Sequence, residues 1–233
     1  MNGFFNIDSP IMRLLSKVCD LMILNALCII CCLPIVTAGA SVTALYTITM
    51  KMVRGEESYI FKGFFKAFKE NFKQSTIIWL IMAVLGIFIF VDYRATAILP
   101  ENISNLFRVL IGALIIFYAM ILSYVFPYTA RFANTIKSIF KNSLLIAILN
   151  LPWTILIVAI PVALGFLTLL TTRTLVYGSM LWILFGFSVV AYIESIMFRK
   201  IFAKYEPPVE EDLSDPDSYT VPEELPDHSS ADM

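Results

Sequence analysis

Four polar side chains stand inside strongly apolar sequence: Glu194, Asp20, Asn25 and Asn150. An ionisable group within a membrane segment is costly to bury, so it is a functional candidate by default. Glu194 is the one charge in Thr174–Phe198. It reads either as a proton or substrate site facing the bundle interior, or as a carboxylate that reaches the headgroups or pairs with Arg199 or Lys200. Asp20 follows Lys17 by three residues on the same helical face, which suggests a local ion pair. Asn25 and Asn150 are uncharged but still costly in lipid, and each is expected to hydrogen-bond a neighbouring helix.

Other chemistry is poorly supplied. Cys19, Cys28, Cys31 and Cys32 all lie in the first apolar segment, and Cys28-x-x-Cys31-Cys32 has apolar neighbours and no histidine near it. They read as buried apolar residues rather than metal ligands. The only histidine, His228, is near the end of the chain, which removes the commonest general base. His-Glu-x-x-His, Gly-x-Ser-x-Gly and Gly-rich phosphate loops are absent. The expectation is a protein that is not an enzyme, holds no cofactor or metal, and does not bind nucleic acid.

The elements that must position these residues are membrane helices. Hydrophobic residues make up 59% of the chain and charged residues 15%, against roughly 45–50% and 25% in soluble domains. That excess exceeds what a soluble core of this size can bury, and open sheets cannot satisfy their backbone in lipid. The expected fold class is all-α, a polytopic transmembrane bundle of five to six spans with a cytoplasmic amphipathic interfacial helix. Charge-free runs place spans at about 18–36, 74–92, 106–126, 143–170 and 175–198, with a short return at 40–53. The fourth exceeds one crossing and contains Pro152 and Pro161, which suggests a tilt or kink. Tyr59, Trp79, Tyr93, Tyr124, Tyr128 and Tyr205 fall near span ends and read as interface anchors. Asp8-Ser9-Pro10 reads as a helix start. Met1–Pro10 lacks a basic n-region, so no cleaved signal peptide is expected.

The interfacial helix is 58–73. Phe61, Phe64, Phe65, Phe68 and Phe72 form one stripe, and Lys62, Lys66, Lys69 and Lys73 form a second about 100° away. Rings entering the acyl edge beside lysines that reach anionic headgroups suit the cytoplasmic leaflet. With the stripe in the cytoplasm, a hairpin at 34–53 puts 14 basic residues inside and 3 outside. A single crossing gives 12 and 5. The positive-inside rule favours the hairpin. The first 204 residues form the helical domain, with 17 basic and 8 acidic residues. Residues 205–233 carry ten acids and no Lys or Arg, and read as a disordered cytoplasmic tail.

The order Asp8-Ser9-Pro10, Leu33-Pro34-Ile35-Val36-Thr37-Ala38-Gly39-Ala40, Ala44-Leu45-Tyr46, Arg54-Gly55-Glu56-Glu57 and Phe64-Phe65-x-Ala67-Phe68-x-x-Asn71-Phe72-Lys73-Gln74 resembles the YesL-like bacterial membrane proteins, a family of unknown function. The resemblance is specific over about residues 4–80. It implies a small multi-pass protein of the Gram-positive cell membrane, from a family whose members tend to be encoded beside carbohydrate-uptake transporters and glycan-degrading enzymes. It carries no catalytic residues. The functional expectation is therefore an accessory or regulatory partner of carbohydrate uptake, touching the membrane subunits of a transporter. The alternative is a small transporter or channel component acting as a homo-oligomer. Asn71 and Gln74 lie beside the aromatic face, and a lipid anchor has no evident need for that Asn. Phe61–Lys73 is thus also a candidate docking surface.

Overall fold

In a computed structural model, residues 10–56, 59–98 and 100–205 are described. The expected cap at Asp8 or Ser9 and the acidic segment from Glu206 onward lie outside them. Among the described residues the chain is all-α: α1 (Pro10–Cys32), α2 (Ala38–Arg54), α3 (Ile60–Ala95), α4 (Glu101–Arg131), α5 (Ile136–Leu149), α6 (Leu151–Leu169), α7 (Thr172–Leu181) and α8 (Phe187–Phe202). Five segments are long and apolar enough to cross a membrane: Leu14–Cys32, Ile60–Ile98, Ile103–Arg131, Leu151–Leu169 and Thr172–Phe202. The chain is a multi-pass helical membrane protein.

The break after α1 is a proline effect. Leu33 precedes Pro34, whose ring disfavours continued helix. A 3₁₀ turn at Ile35–Thr37 follows, and the Thr37 hydroxyl donates to the Cys31 carbonyl at 2.6 Å, satisfying one of α1's last acceptors. α2 then runs back along α1, with the Ser41 hydroxyl bonded to the Cys28 carbonyl at 2.9 Å. Residues 34–53 therefore turn α2 back against α1, and α2 is not among the five segments long and apolar enough to cross a membrane. α2 ends at Gly55, whose φ of 75° is the left-handed cap conformation. The Glu56 amide closes the motif on the Lys51 carbonyl at 3.1 Å.

α2 is the centre of the bundle, enclosed by α1, α3, α4 and α8. Small residues permit that. Gly39, Ala40, Ser41 and Ala44 are all buried. A Cβ on Gly39 would lie 2.5 Å from both the Ser75 carbonyl oxygen and the Trp79 Cβ, so α2 and α3 touch backbone to backbone there.

Two expected boundaries move. The amphipathic segment 58–73 and the span 74–92 are not separate elements, because α3 runs unbroken from Ile60 to Ala95, about 54 Å. Its buried positions Phe64, Ala67, Ser75, Ile78 and Met82 form one stripe through both parts. That shared face explains why no bend separates them. Conversely, the single long span expected over 143–170 is two helices. Asn150 (φ −120°, ψ 42°) leaves the helical region, and Pro152 stands in the first turn of α6. α5 packs on α4, while on α6 only Thr154 and Ile157 are buried.

Tyr124 and Tyr128 are core residues rather than interface anchors. Tyr124 is fully buried, shares a 2.8 Å hydrogen bond with Thr154, and meets the Phe198 ring edge-on. The Tyr128 hydroxyl accepts from Asn134 and Asn142.

Gly39→Ala is expected to destabilise the protein by about 1–3 kcal/mol through overpacking against backbone. Gly112→Ala, where nothing lies within 4 Å of the added carbon, should leave stability unchanged or raise it by up to about 1 kcal/mol. Thermal unfolding of both variants in the same detergent checks the contrast.

Candidate functional site

Each polar candidate sits on a helix that fixes its direction. Glu194 is on α8, and only 3% of its surface is exposed. The Tyr46 hydroxyl of α2 donates to its carboxylate. The alternative pairing with Arg199 or Lys200 does not occur. Those residues follow by five and six positions, about 140° and 120° around the helix. Arg199 instead donates to the Val53 carbonyl at 3.1 Å, and the Lys200 ammonium lies 5.6 Å from the Trp153 ring centroid. One residue on, Ser195 shares a 2.8 Å hydrogen bond with Thr49. Two successive α8 positions are thus tied to α2 residues three apart.

Asn25 has a structural task that its sequence position only hinted at. The rod α7–α8 contains one wide π-turn, Trp182–Gly186, where the ordinary i→i−4 bonds fail and polar backbone groups are left over. The fully buried Asn25 side chain meets them. Its amide nitrogen donates to the carbonyls of Trp182 (3.1 Å) and Ile183 (2.7 Å), and its oxygen accepts from the Ser188 amide (3.0 Å). The expected bond to a neighbouring helix is present, directed at a defect in that helix. Asn150 acts more locally. It donates to the Ile146 carbonyl at 3.0 Å and to the Tyr205 hydroxyl at 3.3 Å, so it holds the α5–α6 break against the end of α8.

Asp20 departs from expectation. It is half-buried on α1, and among the described residues it has no ion-pair partner, Lys17 included. Lys17 is exposed, and a long lysine stem lets its ammonium reach polar surroundings.

Between α1, α2, α3, α4, α6 and α8 lies a cavity of about 740 Å³. Tyr46 and Glu194 line it, with Trp79, Phe126, Pro161 and Trp182 supplying apolar walls. Polar groups are few: the Tyr46–Glu194 pair, Ser123, the thiols of Cys28 and Cys32, and Trp79. The Trp79 indole nitrogen is buried and has no hydrogen-bond partner among the described residues. Cys28 is buried, Cys31 and Cys32 are half-buried and Cys19 is exposed, all as free thiols. Among the described residues no group of three or more metal-binding side chains converges. The cavity holds one carboxylate, so paired-carboxylate acid–base chemistry has no second partner there. It can accept or donate hydrogen bonds to one small polar group while apolar walls hold the remainder of a guest.

The Phe/Lys stripe divides between two tasks. Phe64 is fully buried against Leu24 and Ile48. Phe65 and Phe68 are half-buried, while Phe61 and Phe72 remain exposed. The rings form a ladder along the helix, 5.0 Å between the Phe61 and Phe65 centroids and 5.4 Å between Phe68 and Phe72. Lys62, Lys66, Lys69 and Lys73 are all exposed, Lys66 within 4.0 Å of Glu70. The stripe is therefore a docked face with an exposed aromatic margin. Gln74 ties it to the α4–α5 turn by donating to the Asn134 carbonyl.

Residues 21–93 match the family described as "Protein of unknown function, DUF624". The chain is 30% identical over 128 residues, 53% of its length, to the uncharacterized protein YteU of Bacillus subtilis (strain 168), covering 56% of that relative. It is also 30% identical over 105 residues, 45% of its length, to the uncharacterized protein YesL of the same organism, covering 49%. The matched segments thus span about half the length of these relatives. No solved structure matches. The family match covers about half of α1, all of α2 and nearly all of α3. It includes Asn25, Tyr46 and the Phe/Lys stripe but stops short of Glu194.

Asn25→Leu, similar in size but without the amide, is expected to cost about 3 kcal/mol or more by stranding buried backbone groups. Hydrogen exchange should localise the damage, with the Ser188 amide exchanging faster than amides in the lower turns of α8. Tyr46→Phe, which leaves the Glu194 carboxylate without its donor, should lower stability more than Tyr118→Phe, whose hydroxyl meets only the Met82 carbonyl. Parallel unfolding curves compare the two.

Proposed function

We propose that this protein acts in the cell membrane without catalysing a reaction, as an accessory or regulatory partner of carbohydrate uptake that contacts a transporter's membrane subunits. The basic helix ends, and with them Lys204, face the cytoplasm. The charge count supports that orientation, since Arg54, Arg131 and Arg199 line one small pocket at the same end of the bundle.

The observation that carries the accessory reading is the poverty of polar groups in the large cavity. A bare oligosaccharide presents many hydroxyls. Each one buried without a partner costs about 1–3 kcal/mol, and the cavity offers a handful of partners, two of which already bond each other. A path for free sugar through this bundle is therefore costly. Contact with a dedicated transporter involves no such burial. The exposed margin of the stripe, Phe61 and Phe72 flanked by Lys62 and Lys73, supplies an aromatic and basic surface for it.

A second reading, a transporter or channel component acting as an oligomer, draws on one observation. The cavity adjoins Pro161 and the π-turn, and interrupted helices beside a buried carboxylate are features of transport paths. Its cargo would be amphipathic, with one polar end at Glu194.

Affinity purification of the full chain from native membranes is expected to recover the membrane subunits of a carbohydrate transporter. Recovery of none would sink the accessory reading. Phe61→Ser with Phe72→Ser should reduce that recovery several-fold while leaving the unfolding temperature near its starting value. Uptake of oligosaccharide by cells carrying Glu194→Gln should match that of cells with the unaltered protein. A large loss of uptake with normal membrane levels would favour the transport reading instead.

A further inference from the structure

At the basic end of the bundle, three arginines from distant parts of the chain line one cavity of about 130 Å³: Arg54, Arg131 and Arg199. Each stands in the last turn of its helix, α2, α4 and α8. The negative end of a helix dipole favours a cation there. That accounts for each arginine singly. It does not account for three arginines from separate helices lining one space.

The donors are held in place. Arg199 uses one N–H on the Val53 carbonyl at 3.1 Å, and Arg54 uses its Nε on Glu56. Each guanidinium carries five N–H donors in a fixed fork, so both retain donors for a guest. Glu56, paired with Arg54, stands at the edge of the cluster. The Arg54 guanidinium holds it below the usual carboxylate range, and the charges of Lys51 and Arg131 act in the same direction. An acid already senses the field of this cluster from its edge. The remaining lining, Met50, Phe202 and Ala203, is apolar, so the three arginines supply the pocket's charge, and their forks can make charge-assisted bonds. The space is worth about four waters of liquid volume, suited to one tetrahedral oxyanion.

We propose that the pocket between the C-terminal ends of α2, α4 and α8 is an oxyanion site, in which Arg54, Arg131 and Arg199 hold the phosphate group of a ligand. Guanidinium forks match phosphate oxygens in a way single ammonium groups do not. The phosphate is carried either by a lipid headgroup of the adjacent leaflet or by a soluble phosphorylated molecule. The site is independent of the Glu194 cavity and of any role in carbohydrate uptake.

The test uses the full chain in maltoside micelles, which contain no phosphate. One arm adds inorganic phosphate against chloride at equal ionic strength. The other dopes the micelles with phosphatidylglycerol. Unfolding temperature is the readout. A saturable rise with inorganic phosphate identifies a soluble source. A rise with phosphatidylglycerol alone identifies a lipid source. In either case the apparent affinity should fall at least about tenfold in Arg54→Gln and in Arg131→Gln, and recover only partly in Arg54→Lys and Arg131→Lys, which keep the charge and lose the fork. Lys137→Gln, an equal loss of charge at an exposed position, should bind as the unaltered protein does. Arg199 is left intact because it also caps α2. No saturable response in either arm overturns the proposal, as does a response that both glutamine variants retain in full.

Discussion

The bundle depends on one constraint: α2 carries polar side chains and is enclosed by other helices, so those that are buried must find partners, several of them on neighbouring helices. In a low-dielectric interior an unpaired hydroxyl or carboxylate costs more than most packing defects. Along α2, Ser41 bonds to α1, Thr43 to Ser75 of α3 at 2.9 Å, Tyr46 to Glu194 and Thr49 to Ser195 of α8. At the C-terminal end the Val53 carbonyl accepts from Arg199. These bonds fix the rotation of three helices about α2. A slide of one turn in any of them would break its bond, so the pairings specify the arrangement as well as stabilise it.

Close approach makes the pairings reachable. The short side chains of Ala40, Ser41 and Ala44, with the bare Cα of Gly39, bring α1 and α3 near enough for single hydroxyls to bridge. The same economy appears around Asn25. A π-turn places one extra residue in the rod α7–α8 and shifts the face that α8 presents to α2. Its stranded backbone groups then require a buried amide on α1 to absorb them. Asn25 thus stabilises the irregularity that aims Ser188, Glu194 and Ser195 inward.

Away from α2 the bundle thins. α6 buries only Thr154 and Ile157, and the outer faces of α3, α4 and α7 are apolar and exposed. Lipid covers such surface without penalty, so it needs no protein partner. The buried polar groups and the large cavity gather where several helices meet, and the arginine pocket forms where three helices end together. The two sites differ in kind. One is a large, mainly apolar space with a single acid. The other is small and strongly basic.

Much of this protein could be read from its residues. Long apolar runs in a chain this poor in charge leave helices as the economical way to satisfy the backbone, so the helical class followed from composition. Leu33-Pro34 announced the break after α1, and Asn25 was rightly sent to a neighbouring helix. Periodicity also found the Phe/Lys stripe, but period alone does not distinguish a face turned to lipid from one turned to another helix, since both are apolar. Burial of Phe64 and the unbroken α3 were therefore decided by α1 and α2 packing on that face. Local spacing suggested Lys17 for Asp20 and Arg199 for Glu194, whereas the partner of Glu194 is 148 residues away. Sequence determined which groups would be costly to bury. Only the tertiary structure decided what satisfies them, because partners across helices depend on rotation and depth. The meeting of Arg54, Arg131 and Arg199 is the same case: three ordinary helix-end charges in the sequence, one site in space.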